Sequence, residues 1–200
     1  MPIVESVKKT FEAITGYARP GRREIRALVR VRKPLPYRFA DDGRTPNNPR
    51  WPMIVYRAAV ALPEEFDPAA VFEALFETNH WGESWRDGMY GFNHFHTRTH
   101  ETLGIARGWV RARLGGAKGR DVTLKAGDVV IFPAGTGHKR RAQSRDLLIV
   151  GAYPPSGTYD EPRPEDVDHE AAQRWIAKVK RPRTDPVYGS KGPLTRLWAS

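Results

Sequence analysis

The sequence predicts an all-β sandwich or barrel with a few peripheral helices. Three observations predict it. From residue 88 to 153, short apolar and β-branched runs follow one another, separated by the turn-forming stretches "GGAKG", "KAGD" and "PAGTG". Within that block "GDVVIF" (127–132) is a continuous apolar run between turn signals, the pattern of a buried strand. Helical periodicity is confined to short segments outside the block. With 200 residues and ordinary hydrophobic content, the chain can bury one real core.

The elements follow in chain order. Residues 3–15 read as an amphipathic helix with Ile3, Val4, Val7, Phe11 and Ile14 on one face and Gly16 as its stop. Residues 19–38 hold eight Arg or Lys against one Glu, and Val29 and Val31 alternate with Arg30 and Arg32 as in a half-buried strand. "FADDGRTPNNPRWP" is rich in turn formers and reads as a loop. "MIVYRAAV" (53–60) reads as a strand. Asp67 then caps a helix with Pro68 in its first position. The strand-rich block follows, "GAYPPSG" breaks it, and a last helix over about 165–179 presents Val167, Ala171, Trp175, Ile176 and Val179. The expected organisation is an N-terminal helix and basic extension over 1–36 and one domain over 37–200. That domain has a barrel core at 88–153 and a C-terminal helix and tail at 160–200.

Composition narrows the function. No apolar run approaches the ~20 residues of a membrane span, so no membrane partner is expected. Glu5 and Glu12 interrupt the N-terminus, which is not the pattern of a secretory signal, and a cytoplasmic location is expected. There is no cysteine, so disulfides and thiolate metal sites are excluded. The formal charge of +10 includes the basic stretch 19–38, which could contact phosphates. No recognition helix or interleaved aromatic accompanies it, so nucleic acid is the weakest of the partner readings.

The chemistry gathers in "HFHTRTHETLG" (94–104), which holds three of the six histidines and a glutamate. A helix would place His96 and His100 on one face. But Thr97 stands where a zincin-type site needs Glu, and the threonines and glycines oppose a helix. As a strand, His94 and His96 share a face, and a turn at "TRT" resets the phase. Glu101 then shares a face with Leu103 and Ile105, which points it inward. His100 points the other way and is read as a turn residue or a partner of the ligands, with a ligand role as the alternative. The strand "VVIF" and the turn "PAGTG" return His138 beside the His94 strand. His94, His96, Glu101 and His138 form the expected shell. Three imidazoles and a carboxylate suit one divalent transition metal (Mn, Fe, Co, Ni, Cu or Zn) and leave open positions for water or substrate.

These residues resemble the cupin superfamily, of the RmlC-like jelly-roll type. Gly88, His94, His96, Glu101 and Gly108 fall at the spacing of its first motif. Gly127, Pro133, Gly135 and His138 fall at that of its second, with Ala142 where Asn is expected. Over roughly residues 37–198 the chain looks like the YjlB-like branch. The resemblance implies a cupin-type double-stranded β-helix with a metal in its mouth. It names no reaction, since cupins include dioxygenases, isomerases, decarboxylases, epimerases and binders.

Trp81, Trp85 and Tyr90 precede the metal strand and either line a substrate pocket or pack as core. Arg111 and Arg113 either face water or face inward and hold an anionic substrate. Asp128 reads as a turn residue. His100, Tyr90 and Glu83 are the candidates for proton transfer. The readings are a small-molecule metalloenzyme of dioxygenase or isomerase type, a non-catalytic metal- or ligand-binding or sensing module, and, more weakly, a nucleic-acid-associated protein. A small anionic ligand and a homodimer are expected.

Overall fold

The computed structural model describes residues 18–199. The expected helix over 3–15 lies outside the described residues. The described residues form nine strands: β1 (Leu35–Tyr37), β2 (Met53–Tyr56), β3 (Gly82–Asp87), β4 (Glu101–Arg107), β5 (Trp109–Leu114), β6 (Arg120–Lys125), β7 (Val129–Phe132), β8 (His138–Gln143) and β9 (Leu148–Tyr153). Helices α1 (Arg22–Leu28), α2 (Pro68–Thr78), α3 (His169–Lys178) and α4 (Pro193–Leu197) lie around them. The strands form two antiparallel sheets. One has six strands in the order β1-β2-β7-β4-β9-β3, the other three in the order β6-β5-β8. This is the jelly-roll arrangement of an all-β domain.

The two sheets share an interior. Val55, Leu103, Ile105, Val130, Phe132 and Ile149 of the large sheet meet Val110, Ala112, Leu114, Val122 and Leu124 of the small one. The opposite face of the large sheet is covered as well. Ile54, Tyr56, Ile131, Val150 and Ala152 pack against Val71, Phe72, Leu75 and Phe76 of α2. Burial on both faces explains why "MIVY" and "VVIF" are unbroken apolar runs rather than alternating ones. Helix α2 lies close: a Cβ on Gly104 would sit 2.2 Å from the Phe72 ring, so the β4 backbone itself forms the floor there.

Local chemistry sets the element ends. The Asp67 carboxylate accepts from the Ala69 amide at 3.1 Å and starts α2. Asp168 does the same for Ala171 at 2.7 Å, so the last long helix begins at His169 rather than near 165. The strand expected over 53–60 stops at Tyr56 because Ala58 turns into the left-handed region (φ 45°), with its amide held by Asp128 at 2.8 Å. Asp128 thus organises a turn. A strand precedes residue 88: β3 pairs with β9 at the edge of the large sheet, and Trp85 lies against Gly151 where any Cβ would be 2.1 Å from the ring.

The alternation at 29–32 does not make a half-buried strand. Residues 22–28 form α1, Val29 makes a single bridge to Val60, and Val31 is 91% exposed. Ile25 of α1 is buried in the core, and Tyr188 ties down the following turn by accepting from the Arg32 amide (3.1 Å) and donating to the Arg30 carbonyl (2.8 Å). Trp81 is fully buried and donates to the Thr184 carbonyl at 3.1 Å, which makes it a core residue under the C-terminal tail. Among the described residues no helix is long and apolar enough to cross a membrane.

Candidate metal centre

His94 lies on an extended stretch before β4 and pairs with His138 at the start of β8. His138 N donates to His94 O at 3.0 Å, and His94 N donates to His138 O at 3.3 Å. This pairing sets the two imidazoles side by side, with centroids 4.1 Å apart. His96 joins from two residues on. One ring nitrogen from each of His94, His96 and His138 lies within 4.8 Å of the others, and all three side chains are buried. Glu101 opens β4 on the face of Leu103 and Ile105. Its Oε2 is 3.2 Å from His96 Nε2 and 3.4 Å from His138 Nε2. The structure therefore gathers His94, His96 and His138 into one group, with Glu101 beside His96 and His138.

Three of the ligand candidates are oriented by a group behind them. His96 Nδ1 bonds to the Asp160 carbonyl and His138 Nδ1 to the Thr136 carbonyl at 3.1 Å. With the Nδ1 protons donated to carbonyls, the Nε2 lone pairs face the cluster. Glu101 Oε1 accepts the Tyr153 hydroxyl at 3.1 Å, and the Tyr153 oxygen accepts the Trp85 indole N–H at 2.9 Å. That relay leaves Oε2 for the centre. His96 Nε2, Glu101 Oε2 and His94 Nδ1 are buried with no aligned hydrogen-bond partner. Orphaned buried polar atoms are costly, at about 1–3 kcal/mol each. Three neutral-capable imidazoles around a carboxylate fit a divalent transition metal, which would relieve that cost.

Electrostatics agree with the geometry. Burial drives the His94 imidazole down to about 2, and its neighbours His138 and His96 add to that, so it stays neutral as a metal ligand requires. Burial opposes charge on His96 too, but the adjacent Glu101 outweighs it and raises the imidazole overall. Burial also raises the Glu101 carboxyl, and His96 and His138 overcome it, holding it well below the usual carboxylate range. The carboxylate is thus held ionised by the imidazoles beside it.

The other expected site residues separate. His100 is fully buried and outside this cluster. Its Nδ1 accepts from the Ala134 amide at 2.9 Å, its Nε2 bonds to the Lys180 carbonyl at 3.1 Å, and Trp51 and Trp198 pack on its ring. Both nitrogens are committed to backbone. Arg111 and Arg113 face away from the centre, because the inward positions of β5 belong to Val110, Ala112 and Leu114; Arg113 pairs with Asp121 at 3.4 Å on the outer surface. Glu83 is exposed on β3. Trp85 and Tyr90 do line the cavity of about 500 Å³ above the cluster, with Tyr90 at its rim.

Sequence reasoning passed over Arg140, Tyr153, Tyr159, Asp160 and Glu161. Arg140 was legible, being two residues after His138 on the same strand. The others were not. Residues 158–162 read as a Pro-rich break, yet they run back along the metal stretch: the Asp160 carboxylate accepts from the Thr97 amide at 2.9 Å and from the Thr97 hydroxyl, and Phe95 N donates to Pro162 O at 3.2 Å.

Against known proteins, the uncharacterised protein YjlB of Bacillus subtilis (strain 168) is 35% identical to this chain over 162 residues. The match covers 81% of this chain and 94% of that protein. The chain belongs to the same family as YjlB. No family model matches it. Among solved structures, the chain is similar to a dTDP-4-dehydrorhamnose 3,5-epimerase from Elizabethkingia anophelis NUHP1 (14% identity, 66% of this chain and 79% of that one, TM-score 0.40). It is also similar to a DUF861 family protein from Thermotoga maritima (23% identity, 36% and 75%, TM-score 0.27). Both alignments are partial. In this member of the YjlB family, the cluster lies where two stretches of the chain meet, one contributing His94, His96 and Glu101 and the other His138.

Proposed function

We propose that the protein is a small-molecule metalloenzyme, with His94, His96, His138 and Glu101 holding one divalent transition metal at the base of the cavity. The observation that carries this reading is the convergence of three buried imidazole nitrogens beside the unpartnered Glu101 Oε2, with the far atoms of His96, His138 and Glu101 tied to backbone or to Tyr153. A metal bound there would supply Lewis-acid or redox chemistry of a dioxygenase- or isomerase-like kind. The chain's own residues bind and orient. Trp85 and Tyr153 fix Glu101, and the aromatic wall shields the base of the cavity from water. In this proposal the protein works in the cytoplasm as a homodimer.

One observation favours a non-catalytic binding module instead. The cavity tyrosines Tyr153 and Tyr159 donate their hydroxyl protons to Glu101 and Glu161, which leaves neither hydroxyl proton free for transfer. The test is elemental analysis of protein purified without chelator or affinity metal, alongside His138→Ala. We expect about one equivalent of metal in the native chain and little in the variant, with the fold retained. A metal-free native protein that takes up none on dialysis, or full occupancy in the variant, overturns the reading. Identification of a small molecule that co-purifies and is consumed separates enzyme from binder.

A further inference from the structure

Resting on the metal reading above, we propose that Arg140 binds the carboxylate of the substrate, and that the substrate is a small monocarboxylic acid with an apolar body.

Along β8 the side chains alternate. His138 and Arg140 face the cavity, whereas Lys139 and Arg141 line a separate outer depression. Residues two apart on a strand present side chains to one face at a separation of about 7 Å. Arg140 therefore stands one pleat from a metal-ligand candidate. Its backbone is held in place, since its amide donates to the Tyr90 carbonyl at 2.8 Å and continues the pairing between His94 and His138.

The guanidinium is under-committed. Its Nη1 donates to Gln143 Oε1 at 2.8 Å. Among the described residues no carboxylate lies within 4.0 Å of it, although Arg19, Arg44, Arg57, Arg86, Arg113 and Arg174 each have one. Acids are not lacking nearby. Asp87 and Glu161 line the same cavity, but Asp87 accepts from the Gly88 amide at 2.6 Å and Glu161 from the Tyr159 hydroxyl. Arg86, the other cation there, is spent on Glu73 and Asp67. A guanidinium has five N–H donors in a planar fork that matches a carboxylate edge to edge. Arg140 thus offers an anion clamp in the same cavity that the histidine cluster lines.

The remaining wall defines the rest of the ligand. Trp85, Met89, Tyr90 and Leu103 are apolar surfaces, and about 500 Å³ suits a small organic acid. Asp87 and Glu161 disfavour a second negative charge; Glu161 is the leading cause of the raised Tyr90 hydroxyl at the rim, so its field reaches the entrance. A monoanion is selected over a dicarboxylate or a phosphate.

The experiment uses 3-phenylpropionate, its uncharged amide and inorganic phosphate as probes. Binding is titrated by calorimetry on full-length native protein, Arg140→Gln and Arg140→Lys, with metal content measured for each. The native protein should bind the acid at least ~10-fold more tightly than the amide, a difference of about 1.4 kcal/mol. Arg140→Gln should abolish that preference, Arg140→Lys should keep part of it because it retains charge without the fork, and metal content should stay at the native value in both. Equal binding of acid and amide overturns the inference. So does an unchanged preference in Arg140→Gln, tighter binding of phosphate, or no saturation by the acid at about 10 mM, a level where even a Kd of 1 mM is seen. If the native protein takes up no metal yet keeps an Arg140-dependent preference for the acid, the metal reading alone falls. If metal is bound normally and Arg140→Gln changes nothing, this inference alone falls.

Discussion

Replacing Tyr153 with Phe removes one oxygen from the relay that orients Glu101, and the structure sets the size of the effect. The hydroxyl donates to Glu101 Oε1 at 3.1 Å and accepts from Trp85 Nε1 at 2.9 Å. A hydrogen bond to a charged group contributes about 1.5–3 kcal/mol. That bond steadies the carboxylate in the pose that offers Oε2 to the centre. Its loss should weaken metal binding by about 10–100-fold, the range measured for partners behind metal ligands. The orphaned Trp85 N–H acts differently. It costs stability with or without metal, so it cancels from the affinity and appears in the unfolding temperature instead. An unpaired buried donor costs about 1–3 kcal/mol; Trp85 is half-buried, so the lower end of about 1 kcal/mol applies, which for a chain of this size is about 2–4 °C. Competition for metal against a chromophoric chelator measures the first effect, and thermal unfolding of the metal-free protein the second. A metal affinity within twofold of native would refute the orienting role. Complete loss of metal from a folded variant would refute it in the other direction, by making Tyr153 itself a ligand.

Three further outcomes are expected. His100→Ala should keep one metal per chain while losing about 2–4 kcal/mol of stability, from the ring packed under Trp51 and Trp198 and the acceptor taken from Ala134 N; denaturant unfolding and elemental analysis check it, and a folded but metal-free variant would bring His100 into the centre. Asp185→Ala strips the partner from the Tyr56 hydroxyl (2.5 Å) and from the amides of Val187, Tyr188 and Leu194 (2.8, 3.1 and 3.1 Å). At about 1–3 kcal/mol for each unmet donor, the loss should be at least about 4 kcal/mol, and a midpoint close to native would show that water or rearrangement replaces Asp185. The Asp42 carboxyl is opposed by burial, but amides of Thr45, Arg44 and Ala117 outweigh it and hold it below the usual carboxylate range. A depressed folded-state value means stability present above about pH 4 and lost as pH falls through the lower folded value. Asp42→Asn should therefore cost about 1 kcal/mol at pH 7, with the gap to native closing in unfolding curves below pH 4; a gap independent of pH would contradict that.

By itself the sequence determined the fold class and the three histidines that converge. Both follow from short-range rules. Strand pleat places Glu101 with Leu103 and Ile105, and a two-residue period groups His94 with His96. Turn formers at 133–137 return the chain so that His138 can meet His94. What only the tertiary structure decided is everything that depends on which face of an element is covered, and by what. Arg111 and Arg140 both sit on strands, but one faces water and the other the cavity, because β5 and β8 place their inward positions by register, not by composition. The alternation at 29–32 looked like a strand, yet after α1 has buried Ile25 only Val29 packs on the core, while Val31 faces outward. Asp160 and Tyr159 lie about 60 residues from His96 in a stretch without periodicity, and nothing local marks a loop whose carbonyl will meet a histidine. Such contacts arise only when the core has closed, since it is the packed sheets that fix where a distant, irregular segment must run.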